Sequence, residues 1–132
     1  GNLSGNAISA IAEGTCAVLG GDPGIRLIMR EMMRESVAVA AAFGVELAAD
    51  VAELDEGIER RIEYFSNLGD VGTSMLQDFQ SGRTLELDPI VGSVREMGKM
   101  VDVPTPTIDT IYALARKKAE IKGLYRPLTS KF

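Results

Sequence analysis

The sequence predicts an all-α fold, a bundle of six helices joined by short links. Apolar residues recur at spacings of three and four in several stretches, which is the period of a helix with one buried face. The pairs Asp22-Pro23 and Asp88-Pro89 are strong helix starts, because aspartate accepts hydrogen bonds from free amides of the first turn and proline there needs no amide proton. A composition that is 45% hydrophobic but only 5% aromatic also favours packed helices over a sheet sandwich.

The first half of the chain predicts three helices. We expect them from Asn2 to about Glu13, from Asp22 to Phe43 and from Asp50, which is expected to cap its helix, to about Asn67. The glycine-rich segment 14–21 lacks the strand and the phosphate-cradling pattern of a nucleotide-binding loop, so it is predicted to be a connection with room for a short helical turn. Three methionines of the second helix are predicted to fill the core rather than to form a binding surface: Met29, Met32 and Met33.

The second half predicts three more helices and a free end. They are expected over residues 70–81, 88–100 and 107–122, with an extended link at Pro104 and Pro106. The tail after Gly123 is predicted to be loose. The 132 residues are enough for one domain with a core of its own.

The net charge and the amino-acid composition argue against several classes of function. A net charge of −5 argues against nonspecific binding to nucleic acid, and no run of about 20 apolar residues predicts a membrane span. The single cysteine, Cys16, has no internal partner for a disulfide, which favours a cytoplasmic location. Histidine is absent, and the carboxylates of the third helix are expected to be solvated rather than to bind metal.

A run of polar residues interrupts the apolar pattern in the middle of the chain. It comprises Ser74-Met75-Leu76-Gln77-Asp78, then Gly82-Arg83 and Glu86-Leu87-Asp88. Ser74 and Asp78 are four residues apart and share one helix face, and the turn at Ser81-Gly82 can return Glu86 to the same region. This pattern fits a face that meets a ligand, and it also fits an ordinary solvated face with a glycine stop.

A pair of asparagines stands at the start of the chain, Asn2 and Asn6, one helical turn apart. Together with the central motif, Gly92 and Pro104-Thr105-Pro106, this spacing resembles the C-terminal domain of ketopantoate reductases (2-dehydropantoate 2-reductases). The resemblance covers the chain from about Asn2 to Glu120. It implies the helical fold shared with the C-terminal domain of 6-phosphogluconate dehydrogenase-like enzymes, with residues 1–132 as the substrate-binding and catalytic domain.

The family resemblance implies an activity and a set of roles. The activity is NADPH-dependent reduction of a 2-keto acid such as 2-dehydropantoate to pantoate, on the route to pantothenate and coenzyme A. Asn2, Asn6 and Ser74 would bind the substrate, and Glu86 would be the catalytic carboxylate. The family's catalytic lysine would stand four residues before Asn2, ahead of Gly1. NADPH would be held by an N-terminal Rossmann domain of the same polypeptide, which residues 1–132 do not include, and a homodimer is a further expected partner.

Other motif residues are expected to have structural roles: Met75, Asp78, Arg83 and Asp88. Asp78 is expected to pair with Arg83 or to cap a neighbouring helix. Leu85 departs from the family pattern, in which a threonine commonly precedes the glutamate, and this leaves the substrate open.

The isolated chain is expected to be inactive, because it has no dinucleotide fingerprint. Its docking face should expose apolar surface, so the isolated domain should either self-associate or be prone to aggregation, which a sedimentation experiment would show. The alternative is a stand-alone helical interaction or dimerisation module without catalysis. An upstream coding sequence with a glycine fingerprint and the lysine would favour the enzyme.

Overall fold

The computed structural model describes the backbone of residues 2–127 and the side chains from Leu3 to Pro127. Within this range the fold is all-α, as predicted, with seven α-helices where the sequence predicted six. The helices are α1 (Asn2–Ala12), α2 (Cys16–Gly20), α3 (Pro23–Ala42), α4 (Val51–Asn67), α5 (Ser74–Gln80), α6 (Ser93–Met100) and α7 (Pro106–Ile121), with a π-helical turn at Asp88–Gly92.

The core lies around α3, whose methionines are buried as predicted. Met29 and Met32 are fully buried and Met33 nearly so. They pack with the inner faces of α1, α4 and α7 in one apolar cluster, to which Ile62 and Ile108 also belong. Cys16 is buried and free, and burial raises the pKa of its thiol.

Of the three helix starts predicted at an aspartate, Asp22 and Asp50 are confirmed as side-chain caps, whereas Asp88 is the first residue of the π-helical turn rather than its cap. The Asp22 carboxylate accepts a hydrogen bond from the Ile25 amide at 2.9 Å, and Pro23 opens α3. The Asp50 carboxylate accepts from the Glu53 amide at 2.8 Å at the start of α4. These starts need only neighbours in the sequence, so they can be predicted without knowledge of the fold.

Some of the carboxylates on the outer face of α4 form ion pairs with arginines of α3. Glu59 receives a charged hydrogen bond from Arg30 at 2.5 Å, which lowers the pKa of Glu59. Asp55 pairs with Arg34 at 2.9 Å. Across the described residues no cluster of acidic or cysteine side chains could hold a metal ion. These carboxylates therefore orient α4 against α3, in addition to being solvated.

Two helix ends are closed by side chains from distant helices. Glu35 of α3 accepts hydrogen bonds from the amides of Thr107 and Ile108, both at 2.9 Å, at the start of α7. In the other direction, Lys118 of α7 donates to the carbonyls of Ala10 and Ile11 at the end of α1. Such contacts satisfy helix-end groups that have no partner within their own helix. They fix α1 on α7 and thereby hold the wall that carries Asn6.

The glycine-rich segment contains a short helix, α2, which the sequence reading allowed. Gly20 is needed there because an added Cβ would lie 2.6 Å from Cβ of Ser66 on α4. Three other features differ from the prediction. α5 begins at Ser74 rather than at residue 70, since Gly69 has a φ of +88° and the Thr73 side chain caps the helix by accepting from Leu76 N. The predicted helix 88–100 divides into the π-helical turn and α6.

The third difference is the tail, which was predicted to be loose. Leu124 accepts a hydrogen bond from the Leu85 amide at 2.8 Å, and Tyr125 forms a parallel bridge with Leu85. This contact joins positions about forty residues apart, so no local pattern reveals it. The C-terminal segment, as far as the structure describes it, therefore packs beside the loop that carries Glu86. None of the described helices is long and apolar enough to cross a membrane.

Candidate functional site

Two of the predicted site residues meet directly. Asn6 of α1 is 5% exposed, and its Oδ1 accepts hydrogen bonds from the Ser74 hydroxyl and from the Met75 amide, both at 3.2 Å. Ser74 is the first residue of α5 and is exposed. Residues 68 positions apart are thus brought together. Asn2 begins α1, but its side chain lies outside the described part of the chain.

The contact with Met75 fixes the orientation of the Asn6 amide. A backbone amide can only donate, so the oxygen of Asn6 must face α5 and its Nδ2 must face away. Within the described residues Nδ2 has no hydrogen-bond partner. Asn6 therefore has a structural role at the start of α5 and still has a donor to offer.

Hydroxyl groups behind this pair hold it in place. The Thr73 hydroxyl caps α5 by accepting from Leu76 N at 3.2 Å and is hydrogen-bonded to the Ser9 hydroxyl. Ser9 in turn donates to the backbone carbonyl of Asn6 at 2.9 Å. Because each member has a partner, the network restricts the rotamers of Asn6 and of its neighbours.

Asn6 and Ser74 lie in the wall of a cavity of about 900 Å³. α1, α3, α4 and the segment before α5 surround it. Most of the wall is apolar, including Met33, Val37, Leu54, Ile58 and Phe65. Buried residues such as Met33 and Ile58 form part of the lining, so the cavity reaches the core.

Charged side chains of the wall come from α4. Arg60 and Arg61 line the cavity together with one carboxylate, Glu53. Glu53 accepts a hydrogen bond from the Ala49 amide at 2.7 Å, and Arg60 makes only a long pair with Glu56 at 3.8 Å. Arg61 makes no ion pair within the described residues. The wall therefore has a net positive charge, which favours an anionic ligand. The sequence analysis did not assign these arginines to a site.

Glu86 is not part of the cavity wall. It is exposed and stands between Leu85 and Leu87, which are 3% and 0% exposed. The buried neighbours anchor the backbone on both sides, so the carboxylate faces away from the core. Within the described residues it makes no hydrogen bond or ion pair. The structure thus joins Asn6 with Ser74 and leaves Glu86 on a separate surface segment.

A tyrosine pair fixes the segment that follows Glu86. Tyr112 of α7 donates to one oxygen of Asp88 at 2.5 Å, and Tyr125 of the tail donates to the other at 2.8 Å. Burial raises the pKa of both tyrosines, and the Asp88 carboxylate raises it further. The expected structural role of Asp88 is in keeping with these contacts. The sequence carried no signal for the tyrosines, because their partners are distant along the chain.

The tyrosine pair predicts a loss of stability at high pH. Each folded-state pKa lies above the ordinary value of about 10, so the stabilisation is complete below that pH and declines as the pH rises through it. Tyr125→Phe should lower the free energy of unfolding by about 1 kcal/mol at pH 8 and by less at pH 10.5. Urea titrations at the two pH values measure this. Tyr64→Phe, at an exposed tyrosine, is the control, and an equal loss at both pH values would contradict the account.

Asp78 and Arg83 form the ion pair expected from the sequence. The Arg83 Nε donates to the Asp78 carboxylate at 2.9 Å, across the turn that ends α5. Gly82 in this turn has a φ of +74°, which a glycine adopts without strain. Met75 is buried in the core cluster. Both observations agree with structural roles for these motif residues.

The chain resembles known proteins over nearly its whole length. Residues 1–119 match the family model for the C-terminal domain of ketopantoate reductase PanE/ApbA. The chain belongs to this family. A 2-dehydropantoate 2-reductase of Mesorhizobium japonicum is 42% identical over 125 residues, which are 95% of this chain and 36% of that protein.

Solved structures show the same fold. A protein assigned as a ketopantoate reductase from Ralstonia solanacearum MolK2 superposes with a TM-score of 0.81 at 35% identity, over 94% of this chain and 35% of that one. A D-mandelate dehydrogenase with NADH and anilino(oxo)acetate has a TM-score of 0.79 at 27% identity, over 93% of this chain and 39% of that one. The chain therefore spans about a third of the length of these relatives.

The described residues contain no site for a dinucleotide. The paired glycines Gly20 and Gly21 end α2, and Gly20 is explained by close packing against Ser66 rather than by room for a phosphate. No strand precedes them within the range that the structure describes. The described residues therefore do not form the strand, turn and helix that hold a dinucleotide in a Rossmann fold.

Proposed function

We propose that this chain is the substrate-side domain of an NADPH-dependent reductase of 2-keto acids, with 2-dehydropantoate as the reference substrate. The observation that carries the proposal is the Asn6–Ser74 contact in a cavity wall, in a chain of the ketopantoate reductase C-terminal family. Asn6 would donate from Nδ2 to a substrate oxygen. The Ser74 hydroxyl, whose proton is donated to Asn6, would accept a hydrogen bond from a hydroxyl group of the substrate. Asn2, one turn before Asn6, would contribute a further amide.

The charge of the wall supports an acid as the substrate. Two arginines and one carboxylate line the cavity, and the carboxylate already accepts a backbone hydrogen bond. Arg61, which has no ion pair in the described part, would attract the substrate carboxylate. A neutral ketone would gain no binding energy from charge attraction to these arginines.

Glu86, which lies on a surface segment outside the cavity wall, would act when the nucleotide-binding domain has docked. We propose that its carboxylate orients the substrate and a lysine supplied by the preceding part of the polypeptide. That lysine would deliver the proton to the developing alkoxide. NADPH, held by a separate nucleotide-binding domain, would supply the hydride. Residues 1–132 alone would therefore be inactive.

Exposed apolar side chains border the cavity, and the nucleotide-binding domain would cover them. Leu47 is 61% exposed, Leu68 45% and Val71 49%. The chain spans about a third of its relatives, and the first turn of α1 lies in the cavity wall, so preceding residues would enter beside this surface. A ketopantoate reductase of Staphylococcus aureus is dimeric, and a homodimer is proposed here too.

The test is turnover by the full-length polypeptide that contains this domain. NADPH oxidation should proceed with 2-dehydropantoate or a related 2-keto acid, and Ser74→Ala should lower kcat/KM about tenfold through the lost hydrogen bond. Ser93→Ala is the matched control, because Ser93 is also an exposed serine that opens a helix, α6, but lies outside the cavity lining. Lack of turnover with every 2-keto acid would favour a non-catalytic interaction module.

A further inference from the structure

Glu86 stands in a segment that has no helical hydrogen bonds to hold it. Residues 83–86 connect the turn that ends α5 to the residues that open the π-helical turn, and none of them belongs to a helix. The Glu86 side chain is exposed and makes no hydrogen bond or ion pair within the described residues. The position of its carboxylate therefore depends on the contacts that hold the backbone on either side.

The residues that follow α7 contact the chain on both sides of Glu86. Before it, the Leu85 amide donates to the Leu124 carbonyl at 2.8 Å. After it, the Asp88 carboxylate accepts from the hydroxyl of the half-buried Tyr125 at 2.8 Å. Two successive residues after α7 thus hold the two ends of a stretch only four residues long, and Glu86 lies inside it.

A glycine at the end of α7 sets the direction of these residues, which we call the C-terminal strap (residues 123–125). Gly123 has a φ of +70°, and its amide and that of Leu124 donate to carbonyls in the last turn of α7. This is the Schellman arrangement, which ends a helix and turns the chain away from the helix axis. A residue with a Cβ adopts such a φ only with strain. Gly123 therefore aims the strap at the segment that carries Glu86.

We propose that the C-terminal strap positions Glu86 for turnover, with Tyr125 as a positioning residue that acts through Glu86 and not by contact with the substrate. This inference rests on the proposed function. Tyr125 does not line the cavity that holds Asn6 and Ser74, and its hydroxyl is already bonded to Asp88. A carboxylate that orients a lysine must be held in place, because a shift of about 1 Å in a positioned group can lower a rate by about 100-fold.

A double-mutant cycle tests whether Tyr125 acts through Glu86. NADPH oxidation by the full-length polypeptide is measured with 2-dehydropantoate or the 2-keto acid that it turns over best. Tyr125→Phe should lower kcat about tenfold with little change in KM, since the carboxylate is displaced and the substrate-binding groups are not. In the Glu86→Gln background the same substitution should lower kcat by less than about twofold, because residues that act as a unit are not additive.

The outcomes separate this inference from the proposed function. An unchanged kcat in Tyr125→Phe, or the same fall in kcat in both backgrounds, would overturn the inference and leave the proposed function standing. A loss of packing alone would give the same fall in both backgrounds, because it would not depend on the residue at position 86. Lack of turnover with every 2-keto acid would overturn both.

The second arm changes the direction of the strap. Gly123→Ala should lower kcat by about tenfold or more with little change in KM, because strain in the turn displaces the strap. Gly44→Ala is the matched control. Gly44 follows α3 with the same pair of backbone hydrogen bonds and a φ of +86°, an added Cβ meets nothing within 4 Å at either glycine, and Gly44 lies outside the cavity lining. Both variants should lose similar stability in urea titrations, and equal kcat values for the two would overturn the inference.

Discussion

Glu86→Gln should lower kcat of the full-length polypeptide by about 100-fold or more, within the range of about 10²–10⁴ typical of positioned acid and base groups. The substitution keeps the size of the side chain and removes only its charge. If the carboxylate orients a cationic lysine, an amide cannot replace it. The substrate would still reach Asn6 and Ser74, so KM should change much less than kcat. Steady-state NADPH oxidation gives both constants.

The fold should tolerate this change. Glu86 is exposed and makes no contact in the described part of the chain that the variant would break, whereas the flanking Leu85 and Leu87 are buried. Thermal unfolding of Glu86→Gln should therefore match that of the parent protein. Glu46→Gln serves as the control, since Glu46 is also an exposed glutamate outside the cavity lining. If Glu86→Gln and Glu46→Gln have the same kcat, Glu86 has no role in turnover.

Two substitutions of Asn6 should separate its structural role from its substrate role. Asn6→Ala removes the acceptor that the Met75 amide uses, and a buried amide without a partner costs about 1–3 kcal/mol. Asn6→Asp keeps an oxygen for this amide and for the Ser74 hydroxyl. It replaces the Nδ2 donor by a carboxylate oxygen, which would repel an anionic substrate. We expect Asn6→Ala to lose more stability and Asn6→Asp to lose turnover while it folds.

Urea titrations and initial rates on the two variants measure these effects. For Asn6→Asp we expect kcat/KM to fall about 100-fold, mostly through KM, because the lost donor and the like charge both act on the bound acid. Full turnover in Asn6→Asp would show that Asn6 only connects α1 to α5. In that case the substrate must bind elsewhere.

The parts of the fold that depend on neighbouring residues could be read from the sequence. The caps at Asp22 and Asp50, and the turn at Gly82, need only residues within one helical turn. The methionine core of α3 follows from helical spacing. These features set the all-α class, and packing then determines the details of the helix boundaries.

The site itself could not be derived from spacing alone. Asn6 and Ser74 meet across 68 positions, and only the family resemblance placed them together before the structure was known. The Asp88 contacts with Tyr112 and Tyr125 were missed for the same reason, since they join three separate segments. In the sequence, Arg60 and Arg61 resemble ordinary surface charges. Only the structure shows that both line the wall of the same cavity.

The most direct measurement is a crystal structure of the full-length polypeptide with NADP⁺ and a 2-keto acid. The account predicts that a substrate oxygen lies within hydrogen-bond distance of Asn6 Nδ2 and of the Ser74 hydroxyl. The Glu86 carboxylate should lie within hydrogen-bond distance of the catalytic lysine. A keto acid bound on another face of the bundle, with Nδ2 of Asn6 still without a partner, would contradict the assignment.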